Sequence, residues 1–234
     1  KVLKANPEIV LATRAYGWFK ENPNELCDTV RHLTDDTLFQ PGADAIKFFF
    51  RRVGVISGFI VNAEKAKKLS SDLFDGRLYY QMYLAGMLMA EGQGYYFSDV
   101  MTLSRDTEAP DFGNAGTEKG VFTPGGYKPE GRIHMVEGLL LIAKYIEDTT
   151  KIDGVYAGIR KDLANYFYPY IRDQLDLPLY TYIKMINKFR KMGFSNEKLF
   201  YVHAFLGYVL KRRGYDALIK YIRSKKGGTP RLGI

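Results

Sequence analysis

The chain predicts a helix-dominated α+β fold, and three features carry that expectation. Apolar, β-branched segments near residues 8–15, 55–61 and 95–103 read as strands of a small mixed sheet. From residue 130 to the end, apolar residues recur at i, i+3 and i+4, the pattern of packed amphipathic helices. Between these regions, residues 106–131 hold six glycines and three prolines with little periodicity, so they read as a long loop. The boundary falls near residue 129, leaving residues 1–129 as one unit and a basic, all-helical region over 130–234.

Each element has a local reason. Val2–Pro7 reads as a helix end stopped by proline, and the strand that follows runs into Tyr16-Gly17-Trp18-Phe19. Residues 20–40 are polar and read as a loop, with Asp35-Asp36 as a helix cap or solvated turn. Pro41-Gly42 opens a helix through Asp44–Arg52 with Phe48, Phe49 and Phe50 at its apolar centre. A short basic helix and an Asp-rich turn precede a long apolar helix over 76–91, with Asp75 placed to cap it. The later periodic stretches predict helices at 130–147, 154–174, 178–192, 196–212 and 214–225.

Composition narrows the class. With 234 residues, 46% of them hydrophobic and 15% aromatic, the chain is globular and can bury roughly 70–75% of its unfolded surface. One cysteine, Cys27, excludes an internal disulfide framework and fits a reducing, cytoplasmic setting. No apolar run reaches the ~18 residues that a spanning helix needs. Charge is unevenly spread: residues 1–150 hold 17 Lys and Arg against 20 Asp and Glu, a balance of −3. Residues 151–234 hold 17 against 6, a balance of +11. Clusters at Lys184–Lys191, Lys211-Arg212-Arg213 and Arg223–Lys226 alternate with Tyr182, Phe189, Phe194, Tyr215 and Tyr221. That interleaving suits either a solvated bundle or a peripheral helix on an anionic membrane surface. Nucleic acid is the weaker partner, because no recognisable binding module is present and the arginines spread over many helices.

Searches for chemistry exclude more than they find. His32, His134 and His203 are far apart in sequence, no CxxC or HxxxH spacing exists, and no metal-ligand set is assigned. No GxSxG elbow, Walker A motif or strand-borne GxGxxG is present.

Residues 54–105 hold a different kind of signal. Ser57-Gly58 in an apolar strand, the turn Phe74-Asp75-Gly76, the helix ending at Gly92 and the strand Tyr95-Tyr96 to Arg105 follow one another. This order resembles the acceptor-side half of family-2 nucleotide-sugar glycosyltransferases of the GT-A type, and the "NP" at Asn6-Pro7 resembles their helix end after the DxD motif. The resemblance covers residues 1–105 and implies a partial GT-A-like segment that begins mid-domain, without the nucleotide-binding half. It implies a nucleotide-sugar donor, a glycan or lipid-linked acceptor, and a divalent cation, Mg or Mn, held by the upstream part of an intact parent.

By the same resemblance, Ser57 and Gly58 mark close backbone approach to the donor sugar, though such a glycine equally accommodates a neighbouring helix. Arg105 suits a diphosphate or an acidic acceptor, or else a surface ion pair. Tyr80, with Trp18 and the other paired tyrosines, offers a sugar-stacking face or simple core packing. Counting back from Gly92 places Gln81 where many members keep the base of an "ED" pair; an amide cannot serve as one but can hydrogen-bond a sugar hydroxyl. Asp75 and then Asp72 are the nearest carboxylates. The other reading of the whole chain is a non-catalytic basic helical module that binds a membrane surface or protein partner.

Overall fold

The computed structural model describes residues 2–106 and 128–226, with side chains described to residue 222. The fold is α+β, with a small curled mixed sheet and far more helix than strand. After a short helix α1 (Val2–Ala5), strand β1 (Ile9–Phe19) runs through the middle of the sheet and is buried along nearly its whole length. On one edge it pairs antiparallel with β2 (Leu26–Val30) and with β4 (Ile60–Val61). On its other edge it pairs parallel with β5 (Gln93–Arg105), whose far side takes β3 (Thr37–Phe39) antiparallel.

Parallel neighbours need a crossover, and here it comprises α2 (Ala43–Arg52), α3 (Ala63–Lys68) and α4 (Tyr80–Glu91). Asn62 starts α3 by accepting the Lys65 N–H, the usual work of an N-cap amide. Helix α2 buries Ala45, Ile46, Phe49 and Phe50 on one face. Helix α4 has no polar side to speak of and buries Met82, Tyr83, Ala85, Gly86, Leu88 and Met89.

The remaining helices are α5 (Pro129–Thr150), α6 (Val155–Asn165), α7 (Tyr168–Ile171), α8 (Leu179–Lys191) and α9 (Lys198–Lys226). One buried cluster extends from Val10 and Leu11 of β1 through α2, α4 and α5 to Tyr215 and Ile219 of α9. It therefore crosses the boundary placed near residue 129. Arg51 Nε donates to Asp162 Oδ2 at 2.9 Å and ties α2 to α6 across the same line. No helix among the described residues is long and apolar enough to cross a membrane.

Several expectations need correcting. Residues 20–40 contain β2 and β3, short edge strands whose exposed and half-buried side chains give no hydrophobic alternation in sequence. The strand expected over 55–61 shrinks to Ile60–Val61, because Ile56–Phe59 is a β-turn closed by Phe59 N–H to the Ile56 carbonyl. Gly58 has φ 77° at the third position, where a type II turn requires positive φ.

The helix expected over 154–174 breaks after Asn165. Pro169 has no N–H to give Asn165 and its ring would strike that carbonyl. Phe167 sits at the break as a hub, with the rings of Phe189, Phe194 and Phe200 all within 5.0 Å. The expected division between 196–212 and 214–225 falls at Lys211, where φ 56° and ψ 177° kink α9. Of the loop read over 106–131, residues 107–127 lie outside the described residues.

Arg132 of α5 and Asp173, in the 3-10 turn Arg172–Gln174, form an ion pair whose side chains are 6% and 11% exposed. Removing one member of a buried pair strands the other charge away from water. Asp173→Ala is expected to cost about 3–5 kcal/mol, read as a lower urea midpoint. A loss below about 1 kcal/mol would place that pair in effective contact with solvent.

Candidate functional site

β1 carries a charge where its burial asks for an apolar side chain. Arg14, in the middle of IVLATRAYGWF, is 1% exposed. Its Nε donates to Thr102 Oγ1 of β5 at 3.1 Å and its Nη1 to Thr13 Oγ1 at 3.4 Å. Its Nη2 has no hydrogen-bond partner among the described residues. Burial pulls the guanidinium below its ordinary pKa, opposed by the nearby Tyr16 and Tyr96.

Alternation along the strand puts residues 14, 16 and 18 on one face, and their contacts follow it. The Arg14 guanidinium lies 4.9 Å from the Tyr16 ring centre, and Tyr16 meets Trp18 edge-on at 5.0 Å. The row ends at half-buried Trp18, beside the carboxyl ends of the two parallel strands, where Phe19 pairs with Arg105.

A second group of charges adjoins this one. Arg52 shares Asp162 with Arg51, at 3.5 Å, and the Arg52 guanidinium lies over the Phe48 ring. His32 packs edge-on against Phe48 and Tyr96, and its backbone N–H donates to the Tyr96 hydroxyl at 2.8 Å. Burial first, then Arg52, Arg51 and Arg14, push its pKa down to about 3. The imidazole is therefore neutral in a positively charged surrounding.

The residues chosen from sequence gather only in part. Gly58 lies directly on the arginine row: a Cβ there would stand 2.3 Å from Thr102 Oγ1 and 2.4 Å from Arg14 Nε. Ser57 is exposed in the same turn. Gln81 opens α4, and its amide donates to the Gly54 carbonyl at 3.4 Å, which holds it near the start of that turn.

Arg105 belongs to the same half of β5 but shares a face with Gly17 and Phe19, opposite Thr102. Its Nε donates to the Lys20 carbonyl, so a backbone contact takes the place of the surface ion pair. The Tyr80 hydroxyl accepts the Ser71 N–H at 3.0 Å and its ring tilts on Tyr83, so it serves local packing.

Asp72 and Asp75 form an exposed turn in which the Asp75 N–H donates to the Asp72 carbonyl. Asp75 is not the cap expected of it. Helix α4 begins at Tyr80, preceded by Tyr79 in a left-handed conformation at φ 73°, so Asp75 is too far upstream to reach its first amides. Next to it, His134 of α5 accepts from Arg77 Nη1 at Nδ1, 3.0 Å, and donates from Nε2 to the Gly76 carbonyl, 3.3 Å. That pairing anchors the turn and leaves its carboxylates outward.

The pair Asp35-Asp36 is also not simply a solvated turn. Asp36 accepts from the Ser98 N–H and hydroxyl, both at 2.8 Å, and from the Tyr95 hydroxyl. The Ser98 backbone bond is the main cause of its lowered pKa. Among the described residues no three His, Cys, Asp or Glu side chains gather to hold a metal ion.

Comparison with protein-family models, curated proteins and solved structures finds no match.

Sequence reasoning missed Arg14, Tyr16 and His32. A signal for the first was present: one arginine in a strand whose neighbours are otherwise apolar or small. Gly58→Ala is expected to cost more than about 2 kcal/mol, from positive φ and overpacking together, seen as a lower thermal midpoint. An unchanged midpoint would mean that Arg14 yields without cost.

His32 gives a pH test. Its unfolded form binds a proton near pH 6.5 and its folded form only near pH 3. Stability therefore falls as the pH drops through that window. By pH 5 this costs roughly 2 kcal/mol. In His32→Gln that share of the acid sensitivity should vanish from urea titrations run at pH 7 and pH 5.

Proposed function

We propose that the chain is the acceptor-side part of a glycosyltransferase that moves a sugar from a nucleotide-sugar to a glycan or lipid-linked acceptor. The observation that carries this reading is the seating of Gly58 on Arg14, the residue from which the Tyr16–Trp18 aromatic row runs. In sheets with parallel strands, ligands bind outside the strands' carboxyl ends. The row runs toward that end and finishes in an aromatic ring suited to the apolar face of a pyranose. Arg14, fixed and buried, places positive charge at the inner end of the row, where an anionic leaving group would gain from it.

Direct transfer also needs a base for the acceptor hydroxyl. Gln81 cannot supply one, and its amide is engaged with Gly54. Asp75 holds no helix amide, has no side-chain partner among the described residues, and sits in a turn anchored by His134. Those features suit a carboxylate that meets its partner only when an acceptor arrives. We assign the base to Asp75, with Asp72 beside it.

The full-length gene product, given UDP-, GDP- or dTDP-sugars with manganese and an oligosaccharide or lipid-linked acceptor, is expected to release nucleoside diphosphate. No release with any donor, joined to the absence of a DxD-bearing strand upstream of Lys1, overturns the reading. In that enzyme Asp75→Asn is expected to lower kcat roughly 10²–10⁴-fold with KM little changed. Because Asp75 caps nothing, its thermal midpoint should stay put. Near-normal turnover would move the base to Asp72.

A further inference from the structure

The sequence left two readings of the basic C-terminal region, a solvated bundle and a helix on a membrane surface, and burial changes which apolar residues could serve the second. Tyr182, Phe189, Phe194 and Tyr215, which alternate with the lysine clusters, are buried and belong to the core. A different apolar set faces outward on the same helices. Tyr180 of α8 is 79% exposed, Phe205 of α9 68% and Val209 of α9 58%, with Ile183 and Val202 also open.

Within α9 these fall on one side: Val202, Phe205 and Val209 stand opposite Phe200, His203, Ala204 and Gly207, which face the bundle. Tyr182 of α8 stacks on Tyr208 of α9 at 4.7 Å, and its hydroxyl donates to the Ala204 carbonyl at 2.8 Å. That contact joins the inner side of α8 to α9 and leaves the outward residues of both helices free.

Among the described residues, the lysines of this face make no ion pair with the body of the protein. Tyr180, Ile183, Lys184, Asn187, Lys188 and Lys191 line one open depression along the outer side of α8. Arg212 and Arg213 follow just beyond Val209, and both are exposed. The only carboxylates between Leu179 and Ile222 are Glu197 and Asp216, and both are taken by arginines of the bundle. Glu197 pairs with Arg160, and Asp216 with Arg172 at 2.7 Å.

We propose that the α8–α9 face docks in the plane of an anionic phospholipid bilayer. Phe205, Val209, Tyr180 and Ile183 would enter the headgroup boundary while Lys184, Lys188, Lys191, Arg212 and Arg213 meet lipid phosphates. Bulky aromatic and aliphatic tips among unpaired lysines are what an interfacial helix needs, since area and charge then act in the same direction. A second copy of the chain fits this face poorly, because it would set these same cations against one another. The inference does not depend on the glycosyltransferase reading.

The test is co-sedimentation of the whole chain with phosphatidylcholine vesicles prepared with and without phosphatidylglycerol. Binding is expected only to the anionic vesicles and should weaken steeply as salt shortens the ~8–10 Å Debye length. Lys184→Glu with Lys188→Glu, and separately Phe205→Asp with Val209→Asp, should each weaken binding more than about tenfold. Thermal midpoints should be unchanged, since these side chains are outside the core. Equal binding to neutral vesicles, or protein left in the supernatant at low salt, overturns the proposal. So does a dimer in sedimentation velocity that the Phe205→Asp, Val209→Asp variant splits, because the face would then belong to a second copy.

Discussion

The structure depends on α4 being apolar on every side. A helix with a polar face can lie at a surface; one without must be enclosed. Here α2 and the sheet cover it on one side and α5 on the other, so both parts of the chain are built around a shared centre. Close contact with α5 is possible because Gly86 faces Ile146: a Cβ there would stand 2.2 Å from Ile146 Cδ1. Covering α4 also fixes where the crossover returns, and hence that β5 lies parallel to β1 with Thr102 near Arg14.

The ion pairs follow from the same enclosure. Residues 151–234 carry six carboxylates, and four of them are spent on arginines inside the molecule. Asp162 holds Arg51 and Arg52, Asp173 holds Arg132, Glu197 holds Arg160, and Asp216 holds Arg172. These pairs join helices, and the buried ones resist loss because each would strand a charge. Drawing the acids inward leaves the lysines outside unbalanced.

Much of this was legible in the sequence, and the failures have physical reasons. Helices α5, α8 and α9 follow the apolar period closely, and the kink at Lys211 falls where two periodic runs met. The β2 and β3 strands were invisible because an edge strand with exposed side chains has no hydrophobic alternation to read. The Ser57–Gly58 segment looked like strand because its residues are small and apolar, and composition cannot report the positive φ at Gly58. For the site, Gly58 and the charge of Arg14 in an apolar strand are both visible in sequence, but their contact, like the Arg14–Thr102 bond across 88 positions, is a tertiary fact. His134 has no neighbouring ligand in sequence, yet folding brings it to the turn that bears Asp75.

The pairing of β1 with β5 is not one-to-one. Arg14 stands opposite Phe97, Ala15 opposite Val100 and Tyr16 opposite Thr102, so β5 accommodates extra residues between regular stretches. Each extra residue turns the following side chains over. Thr102 reaches Arg14, and Arg105 takes the other face, only because that number of insertions is present. For the evolution of this segment, length is a stricter constraint than identity. Ser98–Met101 can exchange side chains freely wherever none is needed for a bond. Losing a single residue there would exchange the two faces of everything downstream to Arg105 and leave the buried guanidinium without the Thr102 hydroxyl.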